Sequence, residues 1–160
     1  MKITSKKSTG GGLPAGNYVG TIVSIASVKA AAKEGYVDPT DQFHIVLETE
    51  DGRKQNHWLN VKGYMRYSDL SDAQKKSKKF IAAGDEGYAV DKATKMRVIS
   101  EKATEACENI LNNFAFCAGV EEGEDVELDD LIDREIGFAI VMQDGYSRVK
   151  AFMPADAVEA

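Results

Sequence analysis

IGFAIVMQDGYSRVKAFM, residues 136–153, is the stretch on which the fold turns. Asp144-Gly145 at its centre is the strongest short-range signal for a two-residue type I′ turn, so two strands meet there as a β-hairpin. That turn predicts a register in which Gln143 opposes Tyr146, Val141 opposes Arg148, Ala139 opposes Lys150 and Gly137 opposes Phe152. Side chains alternate along a strand, so these pairs share one face. The other face carries Met142, Ile140, Phe138 and Ile136 against Ser147, Val149, Ala151 and Met153, and is expected to be core. The outward row then reads Tyr146, Arg148, Lys150, Phe152. Aromatic rings that stack on bases, set beside cations that meet phosphates, are what a groove for single-stranded nucleic acid needs. The plainer reading is a solvated strand face bearing two long cations.

Upstream, a turn at Leu13-Pro14-Ala15-Gly16 leads into a strand over residues 17–29. Apolar residues on both sides, with Gly20 inside, predict a long bent strand. A loop over residues 30–40 follows, and then a hairpin over residues 42–61 around Asp51-Gly52. A two-residue turn there puts Phe43, Ile45 and Leu47 on one face with Trp58 and Asn56, so Trp58 is expected in the core. It also places His44 and His57 on the opposite face, with Arg53 beside the turn. Ser100 is the expected N-cap of a helix, and Cys107, Ile110, Leu111, Phe114 and Cys117 make its buried stripe. Gly119 is expected to end it.

The order is long strand, hairpin, helix, hairpin. Five strands with a helix between the third and fourth is the order of the OB-fold, a partly open barrel. A parallel sheet is excluded, because one helix cannot supply its crossovers. The expected organisation is a flexible basic arm, residues 1–12, and one mainly β domain, residues 13–160, with a long irregular insertion at about 62–99.

The chain has 160 residues, 43% of them hydrophobic and 29% charged, which suits a single domain with a real core. No apolar run approaches a membrane span, and the N-terminus lacks the apolar segment of a secretory signal, so a cytoplasmic location is expected. The net charge of −6 is unevenly spread. Residues 1–100 hold 16 Lys and Arg against 11 Asp and Glu, and residues 101–160 hold 4 against 15, so the two parts carry +5 and −11. An overall acidic balance therefore does not exclude a polyanionic partner. Cys107 and Cys117 lie ten residues apart on one helix, about 15 Å, which is too far for a bridge between them. They read as reduced core thiols.

No catalytic constellation stands out, and no enzyme activity, cofactor or metal is expected. Two histidines without a Cys or carboxylate pattern make a weak metal site. Gly10-Gly11-Gly12 precedes a strand and cannot deliver phosphate to a helix N-terminus. The carboxylates of residues 121–133 lack EF-hand spacing and read as a solvated segment. A functional alternative is an acidic cover over a basic groove. Lys75, Lys76, Lys78 and Lys79 either solubilise or meet phosphates; Tyr64, Arg66 and Tyr67 nearby repeat the theme of aromatic beside cation.

Leu13-Pro14-Ala15-Gly16-Asn17-Tyr18 with its Val/Ile strand resembles the opening of phage-encoded proteins related to single-stranded DNA-binding proteins. Ala118-Gly119, Ile136-Gly137 and Lys150-Ala151-Phe152-Met153-Pro154-Ala155 are similar as well. The resemblance implies an OB-fold that binds single-stranded DNA in replication or recombination, in a host cytoplasm. The chain ends Asp156-Ala157-Val158-Glu159-Ala160, without the long acidic tail and aromatic tip of the bacterial proteins, which puts tail-mediated recruitment in doubt. The expected partner is single-stranded DNA. Phosphates would meet Arg148, Lys150, Arg53 and the lysine cluster, and bases would stack on Tyr146, Phe152, Tyr64 or Tyr67. Phage recombination or replication proteins are candidate further partners, an oligomer is compatible, and no membrane is expected. The competing reading is a non-catalytic protein-interaction module of a phage replisome or particle.

Overall fold

The computed structural model describes residues 1–2, 12–30 and 40–158. Most of the expected arm and of the loop over residues 30–40 therefore lies outside the described residues. The protein is mainly β with one main helix. Its elements begin with strands β1 (Gly16–Ala30), β2 (Thr40–Thr49) and β3 (Lys54–Asn60), then a short helix α1 (Asp72–Lys76). Strands β4 (Phe80–Ala83) and β5 (Tyr88–Asp91), helix α2 (Glu101–Cys117), and strands β6 (Glu135–Gln143) and β7 (Tyr146–Met153) follow. A five-stranded antiparallel sheet runs in the order β3-β2-β1-β6-β7, and β4 and β5 pair separately. The chain divides into two compact units. One comprises residues 1–25, 45–57 and 113–160, the other residues 26–44 and 58–112.

In the first unit β1 pairs with β6, with Tyr18 opposite Phe138 and Gly20 opposite Ile136. The inward residues Ile22, Ile136, Phe138 and Ile140 are buried. Gly20 is required here. A Cβ would sit 2.8 Å from Cε1 of Phe138 and 2.9 Å from the carbonyl oxygen of Glu48. The long strand thus passes close under its neighbours where the side chain is missing.

The β2–β3 hairpin corrects its expected register by one residue. Its loop has three residues, Glu50-Asp51-Gly52, not two. Thr49 N–H donates to the Arg53 carbonyl at 2.9 Å, Gly52 N–H donates to the Thr49 carbonyl at 2.9 Å, and Gly52 holds φ +84°. A turn closed by a left-handed glycine is the usual three-residue solution. The Thr49 hydroxyl adds local hold, accepting from Arg53 N–H at 3.2 Å and bonding Asp51. That side-chain hydrogen bond, and then the Arg53 charge, hold the Asp51 carboxyl below its usual range. One residue of slip exchanges the two faces of β3. Gln55 and Leu59 are buried, and Trp58 is 50% exposed rather than core.

The β6–β7 hairpin keeps its expected turn, with Asp144 at φ +52° and Gly145 at +81°, and its first four pairs, Gln143–Tyr146 to Ile140–Val149. The register then shifts, and Ala139 pairs with Ala151, Phe138 with Phe152 and Gly137 with Met153. Lys150 is the extra residue of a β-bulge. The expected Ala139–Lys150 and Gly137–Phe152 pairs are therefore incorrect. Phe152 turns to the side of Phe138, where its ring meets Phe114 at 5.0 Å and His57 at 5.3 Å, both edge to face. Met142, expected in the core, is 50% exposed, and Ala151 is exposed.

The sheet edges β3 and β7 share no ladder. Side chains join them instead. Gln55 Nε2 donates to the Ser147 carbonyl at 3.2 Å, and Ser147 Oγ donates to the carbonyl of fully buried Leu13 at 2.5 Å. The aromatic trio of His57, Phe152 and Phe114 joins them farther along. Phe114 and Cys117 of α2 are buried; Gly119, at φ +91°, ends the helix as expected.

In the second unit residues 62–99 are not irregular. They hold α1, the β4–β5 pair, and bridges from Tyr64 to Ile99, Arg66 to Tyr88 and Val90 to Arg97. Ala83, Val90 and Ile81 form a small core of their own. The segment reads as irregular because its strands are only four residues each. Ser100 Oγ accepts from Ala103 N–H at 3.2 Å, as an N-cap should. Ile110, expected in the buried stripe, is 50% exposed. Among the described residues no helix is long and apolar enough to cross a membrane.

Candidate nucleic-acid interface

In the first unit the outward face of β6–β7 carries Tyr146, 73% exposed, with exposed Arg148 and Lys150 behind it. The I′ turn fixes Tyr146 and Arg148 on one face, and the bulge carries Lys150. Alternation from the buried Ile136, Phe138 and Ile140 puts Gly137, Ala139, Val141 and Gln143 on that face, Gly137 being buried there against Met153 and Val158. Across β6, β1 adds Asn17 opposite Ala139 and Val19 opposite Gly137. None of these is acidic. The two cations and one ring therefore stand beside a short shelf, Ala139 to Gln143, that carries no carboxylate; exposed Glu135 lies farther along the same face.

Phe152, the fourth expected member of this row, is removed from it by the bulge and is covered by His57 and Phe114. Arg53 is committed elsewhere, its Nε 2.8 Å from Asp51 Oδ2. His57 is largely enclosed, and its burial pushes its pKa below the ordinary value. Cys107 and Cys117 are free thiols; burial pushes both pKa values up, and Glu108 adds to the rise at Cys107.

In the second unit Tyr64 is half-buried beneath the Arg97 guanidinium, 3.7 Å from its ring centre, and meets Tyr88 edge to face at 6.2 Å. Its ring serves packing. Arg66 is exposed, and its backbone N–H reaches Asp69 Oδ2 at 3.4 Å. Tyr67 has the Lys75 ammonium 5.9 Å from its ring centre. Lys76, Lys78 and Lys79 are exposed on α1 and the turn after it. Sequence reasoning missed the pair His44 and Trp58, whose rings stack 4.8 Å apart at 8°. The two histidines do not share a face: His57 points inward, while Trp58 beside it points outward to His44. The missed signal was Thr49, whose hydroxyl can brace a longer loop.

Among the described residues no group of three or more His, Cys, Asp or Glu is placed to hold a metal. Neither a protein-family model nor a curated protein matches the chain.

Proposed function

We propose that the chain binds single-stranded DNA without sequence preference, on a barrel of the OB type. The carrying observation is the row of Tyr146, Arg148 and Lys150 beside a short carboxylate-free shelf. Such a surface offers one stacking ring and two phosphate contacts, which suits binding that does not select a base. The strand order β3-β2-β1-β6-β7, with α2 between the third and fourth strands of the sheet, supports the OB reading. So does the side-chain seam between β3 and β7, as expected of a partly open barrel. A role in phage replication or recombination rests on the resemblance at residues 13–18 and 150–155.

The test is fluorescence anisotropy with labelled oligo-dT across a salt series. Arg148→Ala with Lys150→Ala should lower affinity and flatten the log–log salt slope by about 1.4, at about 0.7 per lost phosphate contact. Tyr146→Ala should cost roughly 1–3 kcal/mol with little change of slope. Unchanged affinity in both variants refutes the reading. The protein-interaction alternative then gains, and the half-exposed Met96, Ile99 and Ile110 of the second unit favour it.

A further inference from the structure

Lysines from two separate stretches of sequence meet at one end of the β4–β5 pair. Lys79 leads into β4 and Lys92 follows β5, and Lys92 N–H donates to the Lys79 carbonyl at 2.9 Å. Lys75 and Lys76 close α1 just before, and Lys78 N–H donates back to the Lys75 carbonyl at 3.3 Å. Lys95 closes the turn after β5, its N–H donating to the Asp91 carbonyl at 2.8 Å. All but half-buried Lys75 are exposed, and none forms an ion pair among the described residues. The acid of this turn, Asp91, points its Oδ1 back at the turn, accepting from Ala93 N–H at 2.8 Å and Thr94 N–H at 3.1 Å. Lys78 and Lys95 hold φ +55° and +60°, a conformation that glycine or asparagine adopts at less cost. Charge is therefore carried at positions where the backbone favours other residues. Tyr67 already faces the Lys75 ammonium, so this end presents cations without an open ring.

We propose that this lysine end is a second nucleic-acid contact that holds the phosphate backbone without stacking bases, and that Lys92 and Lys95 belong to it. The inference rests on the DNA-binding reading above and extends it. Phosphates are common to single and double strands, so this contact takes both. The stacking row on β7 needs unpaired bases and takes only single strands.

The experiment uses the full chain with Lys92→Gln and Lys95→Asn, asparagine being tolerant of positive φ, against oligo-dT and a duplex of equal length. The expected result is a salt slope lower by about 1.4 for oligo-dT and by about 1.8 for the duplex, with unchanged melting. Tyr146→Ala should weaken oligo-dT binding and leave duplex binding intact. If the double variant melts early, Lys76→Gln on α1 takes its place, with an expected loss of about 0.7 in the oligo-dT slope. Wild-type binding to oligo-dT with a slope that these substitutions leave unchanged overturns this inference alone. A wild-type chain that binds neither oligonucleotide overturns both readings.

Discussion

Phe152→Ala tests the bulge in β7 directly. If the hairpin ran without the bulge, Phe152 would face solvent and its loss would leave stability within about 0.5 kcal/mol. With the bulge, its ring is half-buried between Phe114 at 5.0 Å and His57 at 5.3 Å. Truncating a fully buried Phe costs about 3–5 kcal/mol. Half-burial reduces that, while two edge-to-face contacts add about 0.5–1.5 kcal/mol each. A loss of about 2–3 kcal/mol follows. For a chain of this size each kcal/mol moves Tm by about 2–4 °C, so the drop should be roughly 5–10 °C. Urea denaturation followed by circular dichroism measures the loss, with Lys150→Ala as the exposed neighbour that should change little. A double-mutant cycle of Phe152→Leu with Phe114→Leu should return a coupling of about 0.5–1.5 kcal/mol. Native-like stability for Phe152→Ala, joined to weakened oligo-dT binding, would mean that the ring faces outward and that the bulge is wrong.

Gly20→Ala should destabilise by about 1–3 kcal/mol in urea, because the new methyl meets Phe138 and the Glu48 backbone below 3.0 Å; a neutral result would place the strand farther from its neighbours. Trp58, half-exposed on His44, should be quenched readily by acrylamide in the native state, and strong protection would restore the two-residue register. His57 has its folded pKa pushed below the ordinary 6.5 by burial, so the unfolded chain binds the proton more tightly. Its contribution to stability is intact above pH 6.5 and is lost as pH falls from there through the folded pKa. Urea midpoints measured across this window should decline, and His57→Phe should remove part of the decline; identical profiles for the two proteins would show that His57 is not buried neutral.

The elements were legible because they rest on local signals: alternation for the strands, Asp-Gly for both hairpins, Ser100 and Gly119 for the helix ends. Both Asp-Gly pairs do make turns. What the dipeptide does not fix is how many residues close the loop. Around Asp144-Gly145 nothing competes with the two-residue turn. Around Asp51-Gly52 the Thr49 hydroxyl bonds Asp51 and Arg53 N–H, and the loop takes a third residue. The bulge at Lys150 has no local cause in the sequence. It is set by tertiary packing, because Phe114 of α2 and His57 of β3 supply a place for the Phe152 ring. The lysine end of β4–β5 was half legible. Lys75 to Lys79 are contiguous, but Lys92 joins them only through a backbone hydrogen bond to Lys79.

Two shifts of one residue thus decide where the aromatic surface lies. In the first unit the bulge takes Phe152 off the outward row and leaves Tyr146 as its ring, while the cations stay outside. The longer β2–β3 loop turns Trp58 out onto His44. Neither shift alters the strand content, the order of the sheet or the charge of the chain. Composition and periodicity are blind to both, yet one buries a ring expected outside and the other exposes a ring expected inside. The cations are less sensitive. Long polar side chains reach water from a bulge as readily as from a regular strand, so Lys150 stays exposed after losing its partner. The exposure of such cations is therefore the part of the surface that sequence predicts best. The stacking positions depend on register, and register is set by a hydroxyl at Thr49 and by the Phe152 site between His57 and Phe114.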